Sequence, residues 1–299
     1  MKTGATGRIH LSFSARDLGT TSSSLAQPVV ADHKRGTKLR VLSQEPPLRV
    51  IRAFDHQKSG ALVHLHNISG GVLGGDQFWV KIDVEAGAHG LLTTTGSHRI
   101  YRHRDGYKPA SQTMQVRLGH DAIFEYIPDS TIPYAHSRYW QKSHIQLAPG
   151  AKLIWSEILN PGREGFNERF AWDQFGSEMR IDAEEIPVLW EKWELDGKNS
   201  RFDSPALFGP WSYSATFVVC TCGGPADKLR QLEADLLAIT QPFSDSNTTW
   251  GVSRLVKDGI LVRGLSHKGR HLPFQLEAIH NCARQSLIGE SLIRPRKIY

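Results

Sequence analysis

The chain alternates strand and turn for most of its length, and this rhythm restricts its fold more than any other feature. Phe78, Val80, Ile82 and Val84 alternate with Gln77, Trp79, Lys81, Asp83 and Glu85, the period of two that gives a strand two unlike faces. Gly87 ends that run, Leu91-Leu92-Thr93-Thr94-Thr95 resumes it, and further apolar alternation follows at 114–118, 122–127 and 136–147. Turns such as Ala86-Gly87-Ala88, Gly119-His120-Asp121 and Pro149-Gly150-Ala151 separate the runs. Strand and turn thus recur about every ten to fifteen residues with no crossover helix between them. The expected fold is all-β dominated, with coiled or stacked antiparallel and mixed sheet layers of β-helix-like form. A Rossmann-like fold and an α/β barrel are disfavoured.

Helical patterning comes late. Within 228–240, Leu229, Leu232, Leu236 and Ile239 fall three and four residues apart, and Pro242 stops the run. Within 272–287, Leu272, Leu276, Ile279, Ala283 and Leu287 share one face, and Gly289 ends it. About two α-helices are therefore expected in the C-terminal half. Residues 1–299 read as one β domain, with 18–38, rich in Ser, Thr and Gly and without periodicity, as a mobile loop.

No apolar run approaches the roughly 18 residues that a membrane helix needs, and the first residues lack an apolar core of signal-peptide length. The reading is a cytoplasmic protein that engages no membrane. Cys220, Cys222 and Cys282 leave an odd thiol, which argues against a disulfide framework. The net charge of +6 is two-signed in its distribution. Basic groups gather at 98–104, and Glu178, Asp182, Glu184, Glu185, Glu191, Glu194 and Asp196 make the later middle acidic. Such a surface suits protein partners better than a nucleic-acid groove.

Four glycines in Gly70-Gly71-Val72-Leu73-Gly74-Gly75-Asp76 mark a tight turn, since glycine permits positive φ and close backbone approach. They spell neither GxGxxG nor GxxxxGK[ST], and a strand follows them, so no helix N-terminus is present to hold phosphate. His64 and His66 point to one face of a strand; they read first as polar residues on a wet face, and as metal ligands only if a third joins them. Cys220 and Cys222 read as buried small hydrophobes. Neither G-x-S-x-G nor H-E-x-x-H occurs. Glu157 and Glu168 could do acid/base work, but their separation gives no geometry, and an ion pair or partner contact is the plainer reading. Two classes stay open from these residues: a metal-dependent hydrolase built around His64 and His66, and a basic β-rich module that binds nucleic acid through 98–104.

Several ordered motifs carry a more specific signal. They are PPLRVIRAF, GGVLGGD, TTTGSHRIYR, EYIPDSTIPY, SEILNPGREGFNERF and the closing LIGESLIRPRKIY. In order and spacing they resemble the urease accessory protein D family (UreD, or UreH), with TTTG in place of the family's more usual TTPG at Thr95. The resemblance implies a β-rich, helix-poor scaffold and a non-enzymatic accessory role in nickel insertion into apo-urease. It further implies work with the urease accessory F and G proteins, the G protein supplying GTP hydrolysis because this chain lacks a P-loop. No cofactor is expected to bind tightly, and Ni²⁺ only transiently. Matching the family's motifs, the candidates for a nickel route or partner contact are Asp76, Glu157, Glu168, Arg163, Thr94 and Tyr101. Asp83 and Phe170 occupy motif positions as well.

Overall fold

The structure, a computed structural model, describes residues 1–15, 36–57 and 59–292. In chain order the strands are β1 (Thr6–Ala15), β2 (Thr37–Glu45), β3 (Leu48–Arg49), β4 (Ala53–His56), β5 (Gly60–Asn67), β6 (Gln77–Val84), β7 (His89–Thr94), β8 (His98–Ile100) and β9 (Ala110–Leu118). There follow β10 (Ile123–Ile127), β11 (Thr131–Pro133), β12 (Arg138–Leu147), β13 (Lys152–Leu159), β14 (Gln174–Ala183), β15 (Ile186–Asp196), β16 (Tyr213–Thr221), β17 (Thr248–Arg254) and β18 (Gly259–Ser266). The two α-helices are α1 (Ala226–Thr240) and α2 (Leu272–Ile288). Most of the loop expected at 18–38 lies outside the described residues, and its last two, Thr37 and Lys38, instead open β2.

The long strands alternate between two sheets. Sheet I runs β15-β14-β12-β9-β6-β1-β2, and sheet II runs β17-β18-β16-β13-β10-β7-β5-β3. Within each sheet the central pairings are parallel, β6-β9-β12-β14 in one and β5-β7-β10-β13 in the other. Each turn of the chain therefore crosses from one sheet to the other and climbs one strand. This is the coiled β arrangement that the turn spacing predicted.

Stacking aligns like residues in rungs. Ile82, Val116, Ile145 and Ile181 stand side by side on the inner face of sheet I. Val63, Leu92, Tyr126 and Trp155 do so on sheet II. Together they fill the space between the sheets. Antiparallel strands close the stack: β2 lies beside β1, β15 beside β14, β3 and β4 beside β5, and β16 beside β13.

A second core lies on the outer face of sheet II. There Ile154, Phe217, Val219, Ile260 and Val262 meet Leu232 and Leu236 of α1 and Leu272, Ile279 and Ala283 of α2. The stripes at three- and four-residue spacing are what turn these helices onto the sheet, and α2 stops at Gly289 in the left-handed conformation, φ 74°. Truncating a buried anchor such as Leu232 to Ala is expected to cost about 2–5 kcal/mol.

Candidate functional site

The glycine corner between β5 and β6 shapes one end of the inter-sheet space. Gly75 takes φ +90°, and a Cβ on Gly71 would sit 2.3 Å from the Tyr101 ring, so one position needs glycine for conformation and the other for closeness. Asp76, buried, holds the corner by accepting hydrogen bonds from the backbone N–H of Ala5 at 2.8 Å and of Leu73 at 2.9 Å.

Beside this corner the inter-sheet core turns polar. A cavity of about 240 Å³ is walled by Gly70, Gly71, Thr94, His98, Asp129, Gln141 and Glu157, among others. It adjoins a narrow space of about 30 Å³ through Thr131, Gln141, Glu157 and Ile158, which both share. That constriction in turn shares Glu191, Trp193 and Ser214 with a third cavity of about 630 Å³, where Arg263 stands. The three cavities thus share lining residues in series, Glu157 being common to the first two and Glu191 to the second and third.

Strand register positions these groups. Glu157, Thr216 and Arg263 are cross-strand neighbours on β13, β16 and β18, while Gln141 and Ser177 are neighbours on β12 and β14 of the opposite sheet. Trp155 Nε1 donates to Glu157 Oε1 at 3.1 Å, and Gln141 Nε2 donates to Oε2 at 3.2 Å. These donors are neutral. Glu157 is enclosed by protein on the outside yet keeps some accessible surface, because it lines the cavity. Desolvation pushes its carboxyl up to about 7, against the hydrogen bond from Trp155 and with the help of nearby Glu191. It therefore exchanges a proton near neutral pH. His98, also on the first cavity and bonded to the Tyr139 hydroxyl at 3.0 Å, is lowered by burial to about 4 and remains a neutral imidazole. A carboxylate, an imidazole, amide and hydroxyl groups thus line this first cavity, with no cysteine among its lining residues.

The other sequence candidates divide into separate groups. Thr94 joins Glu157 on the first cavity and is fixed there, its Oγ1 accepting from the Asp129 N–H at 2.8 Å. Tyr101, Arg163 and Glu168 gather around Tyr134: Tyr101 meets it edge-on at 5.1 Å, and Arg163 lies 4.2 Å over its ring. Arg163 pairs with Glu168, which also accepts from the Ala135 N–H at 3.1 Å. Asp76 and Glu168 do not line these cavities. Asp83 pairs with His10 at 2.5 Å, and Phe170 stacks on Phe202 at 4.5 Å. His64 packs edge-on against Phe54, desolvation lowers the pKa of His66, and no cluster of three or more His, Cys, Asp or Glu suited to a metal occurs among the described residues. In the basic stretch Arg104 donates to the Gly74 carbonyl at 2.8 Å and lies over Tyr107. Gln141, Ser177, Glu191 and Arg263 were not singled out as site residues from the sequence. The same-face pair Trp155 and Glu157, two residues apart, was the only local signal near them.

A second buried carboxylate lies on the other face of sheet II. Glu125 of β10 bonds His89 Nε2 at 2.7 Å and His280 Nε2 of α2 at 2.5 Å, and it pairs with Arg284 of the same helix. Arg284, fully buried, also reaches Gln57. Burial alone would raise Glu125, but hydrogen bonds from His280 and His89 hold it well below the usual carboxylate range. Nearby His56 is lowered to about 4, chiefly by burial.

Comparison with known proteins agrees with the motif pattern. A family model described as UreD urease accessory protein matches residues 6–298. The urease accessory protein UreD of Herpetosiphon aurantiacus is 41% identical over 268 residues, covering 88% of this chain and 92% of that one. Urease accessory protein UreD 2 of Brucella abortus is 28% identical over 264 residues, 86% of this chain and 85% of its own. UreD of Pseudoalteromonas translucida is 27% identical, with 88% and 84% covered. With a family match over nearly its whole length and a relative of this closeness, the chain belongs to the UreD urease accessory protein family.

Proposed function

We propose that this protein is a non-enzymatic accessory factor for nickel insertion into apo-urease, and that Ni²⁺ passes through the cavities between its two sheets. The observation that carries this reading is the series of three cavities with Glu157 common to the first two. Glu157 is present in both protonated and ionised forms at neutral pH, so a cation favours the ionised one, and oxygen-rich ligation holds nickel loosely enough to release it. The chain bridges apo-urease to the F and G accessory proteins, and the G protein supplies the energy, since no P-loop motif is found in this sequence. Asp76, at the glycine corner, and the group of Tyr101, Arg163 and Glu168 keep the end of the route in shape or meet a partner. The setting is the cytoplasm; no helix among the described residues is long and apolar enough to cross a membrane.

The test is co-expression with apo-urease and the F and G proteins, with and without this chain, followed by nickel per urease and ammonia release. Loading is expected to require the chain, and Glu157→Ala is expected to assemble yet load poorly. Unchanged nickel content on omission would overturn the accessory role.

A further inference from the structure

Where the second and third cavities share residues, an ion pair spans the two sheets. Glu191 belongs to β15, the edge of sheet I, and Arg263 to β18 of sheet II. Their side chains meet at 2.5 Å. Glu191 lines both the constriction and the third cavity, and Arg263 lines the third. Glu191 sits at an inward position, opposite buried Met179 in register, so its charge faces the passage. Arg263 stands two strands from Glu157, with Thr216 between them in register, at roughly 10 Å by strand spacing.

The geometry points to Arg263 as a displaceable gate on the cation route: seated on Glu191, it closes the junction between the constriction and the third cavity to cations, and it opens when drawn off that carboxylate. This rests on the cation-route reading above.

Three features support a gate over a fixed strut. First, a guanidinium stays charged at every physiological pH, so it opposes a cation in the passage whenever it is in place and can be removed only by movement. Second, the pair is partly open to solvent, at 39% for Arg263 and 21% for Glu191. Such a pair is weakly held, unlike the Arg284–Glu125 pair, both of whose side chains are fully buried. Third, the carboxylate beneath Arg263 is itself an oxygen ligand. Moving Arg263 thus removes a positive charge and exposes a donor in one step.

The test uses the purified full-length chain and nickel(II) chloride alone, with affinity read by titration calorimetry and thermal midpoint as the folding control. Arg263→Gln uncovers Glu191 and is expected to tighten Ni²⁺ binding by about tenfold, a size set by removing one positive charge at this range. Arg263→Lys keeps the charge and is expected to stay near wild type. Glu191→Gln combined with Arg263→Gln should return the affinity toward wild type. A merely structural role for the pair could lower the thermal midpoint but would not tighten metal binding. If Arg263→Gln leaves the affinity unchanged while Glu157→Gln weakens it, the gate is wrong and the route stands. If neither change alters the affinity, the route falls and the gate with it.

Discussion

Two carboxylates on the same sheet sit in opposite surroundings, Glu125 fully buried and Glu157 on a cavity wall. Glu125 and Glu157 stand on neighbouring strands, β10 and β13, but Glu125 faces the helices and Glu157 faces sheet I. Glu125 is surrounded by His89, His280 and Arg284, which fix its negative charge and lock α2 to the sheet. Among the described residues, Glu157 receives hydrogen bonds only from the neutral donors Trp155 and Gln141. One site has its compensating charge built in, and the other is bonded by neutral groups that leave its carboxyl raised to about 7. Burial by itself therefore does not mark a functional acid; the identity of its partners does.

The comparison can be broken most directly at Glu125. Replacing it by Ala strands Arg284 and two histidines without their anion, and breaking a buried pair of this kind costs about 3–5 kcal/mol. Urea unfolding should register that loss, with faster amide exchange along α2. A loss below about 1 kcal/mol, the range of an exposed pair, would mean that Glu125 is no lock. Acid should act on the same region. His56 is lowered from 6.5 to about 4, so its contribution is complete above pH 6.5 and disappears as the pH falls toward 4. Glu125 adds a further loss below about its ordinary value of 4.5. In a Glu157→Gln background, which removes the opposite dependence of that carboxyl, thermal unfolding between pH 7 and 4 should therefore show a falling midpoint that begins well above the carboxylate range.

At Glu157 the sign reverses. Its carboxyl is raised to about 7, so its stabilising neutral form is complete below 4.5 and is lost as pH rises through 7. Glu157→Gln should be near neutral at pH 4.5 and should raise the midpoint relative to wild type at pH 8, even though nickel delivery falls. A marked loss of stability at both pH values would place Glu157 with Glu125 as a structural acid. The smallest effect is expected at Thr94→Val, which deletes the acceptor for the Asp129 N–H and should cost about 1 kcal/mol.

The coil was legible because its signals are local. Alternation in 77–84 and the turns at Gly87 and Gly150 announced strands crossing at short intervals, and the leucine spacing in 228–240 announced a helix with one buried face. The site was legible only in part. Glu157 and Thr94 do share a cavity, but nothing local tells that Gln141, Glu191 and Arg263 join them, because parallel stacking and sheet-to-sheet contact unite positions far apart in the chain. The same limit hid the lock at Glu125, whose partners on α2 lie 155 and 159 residues away. An apolar stripe predicts where a helix lies down; it does not reveal that His280 and Arg284, polar residues near the stripe, are buried too.

The antiparallel strands at the ends of the stack have a consequence for length. A coil of parallel strands has no natural stopping point, since each new strand offers its outer edge as a template for another copy, the geometry by which fibrils grow. Here the chain reverses direction at both ends of both sheets, and the reversed edge strand β15 carries Pro187 and the charges of Glu191, Lys192 and Glu194, which discourage further pairing. An architecture able to polymerise is thereby made into an object of counted layers. Any passage running between those layers inherits a set span.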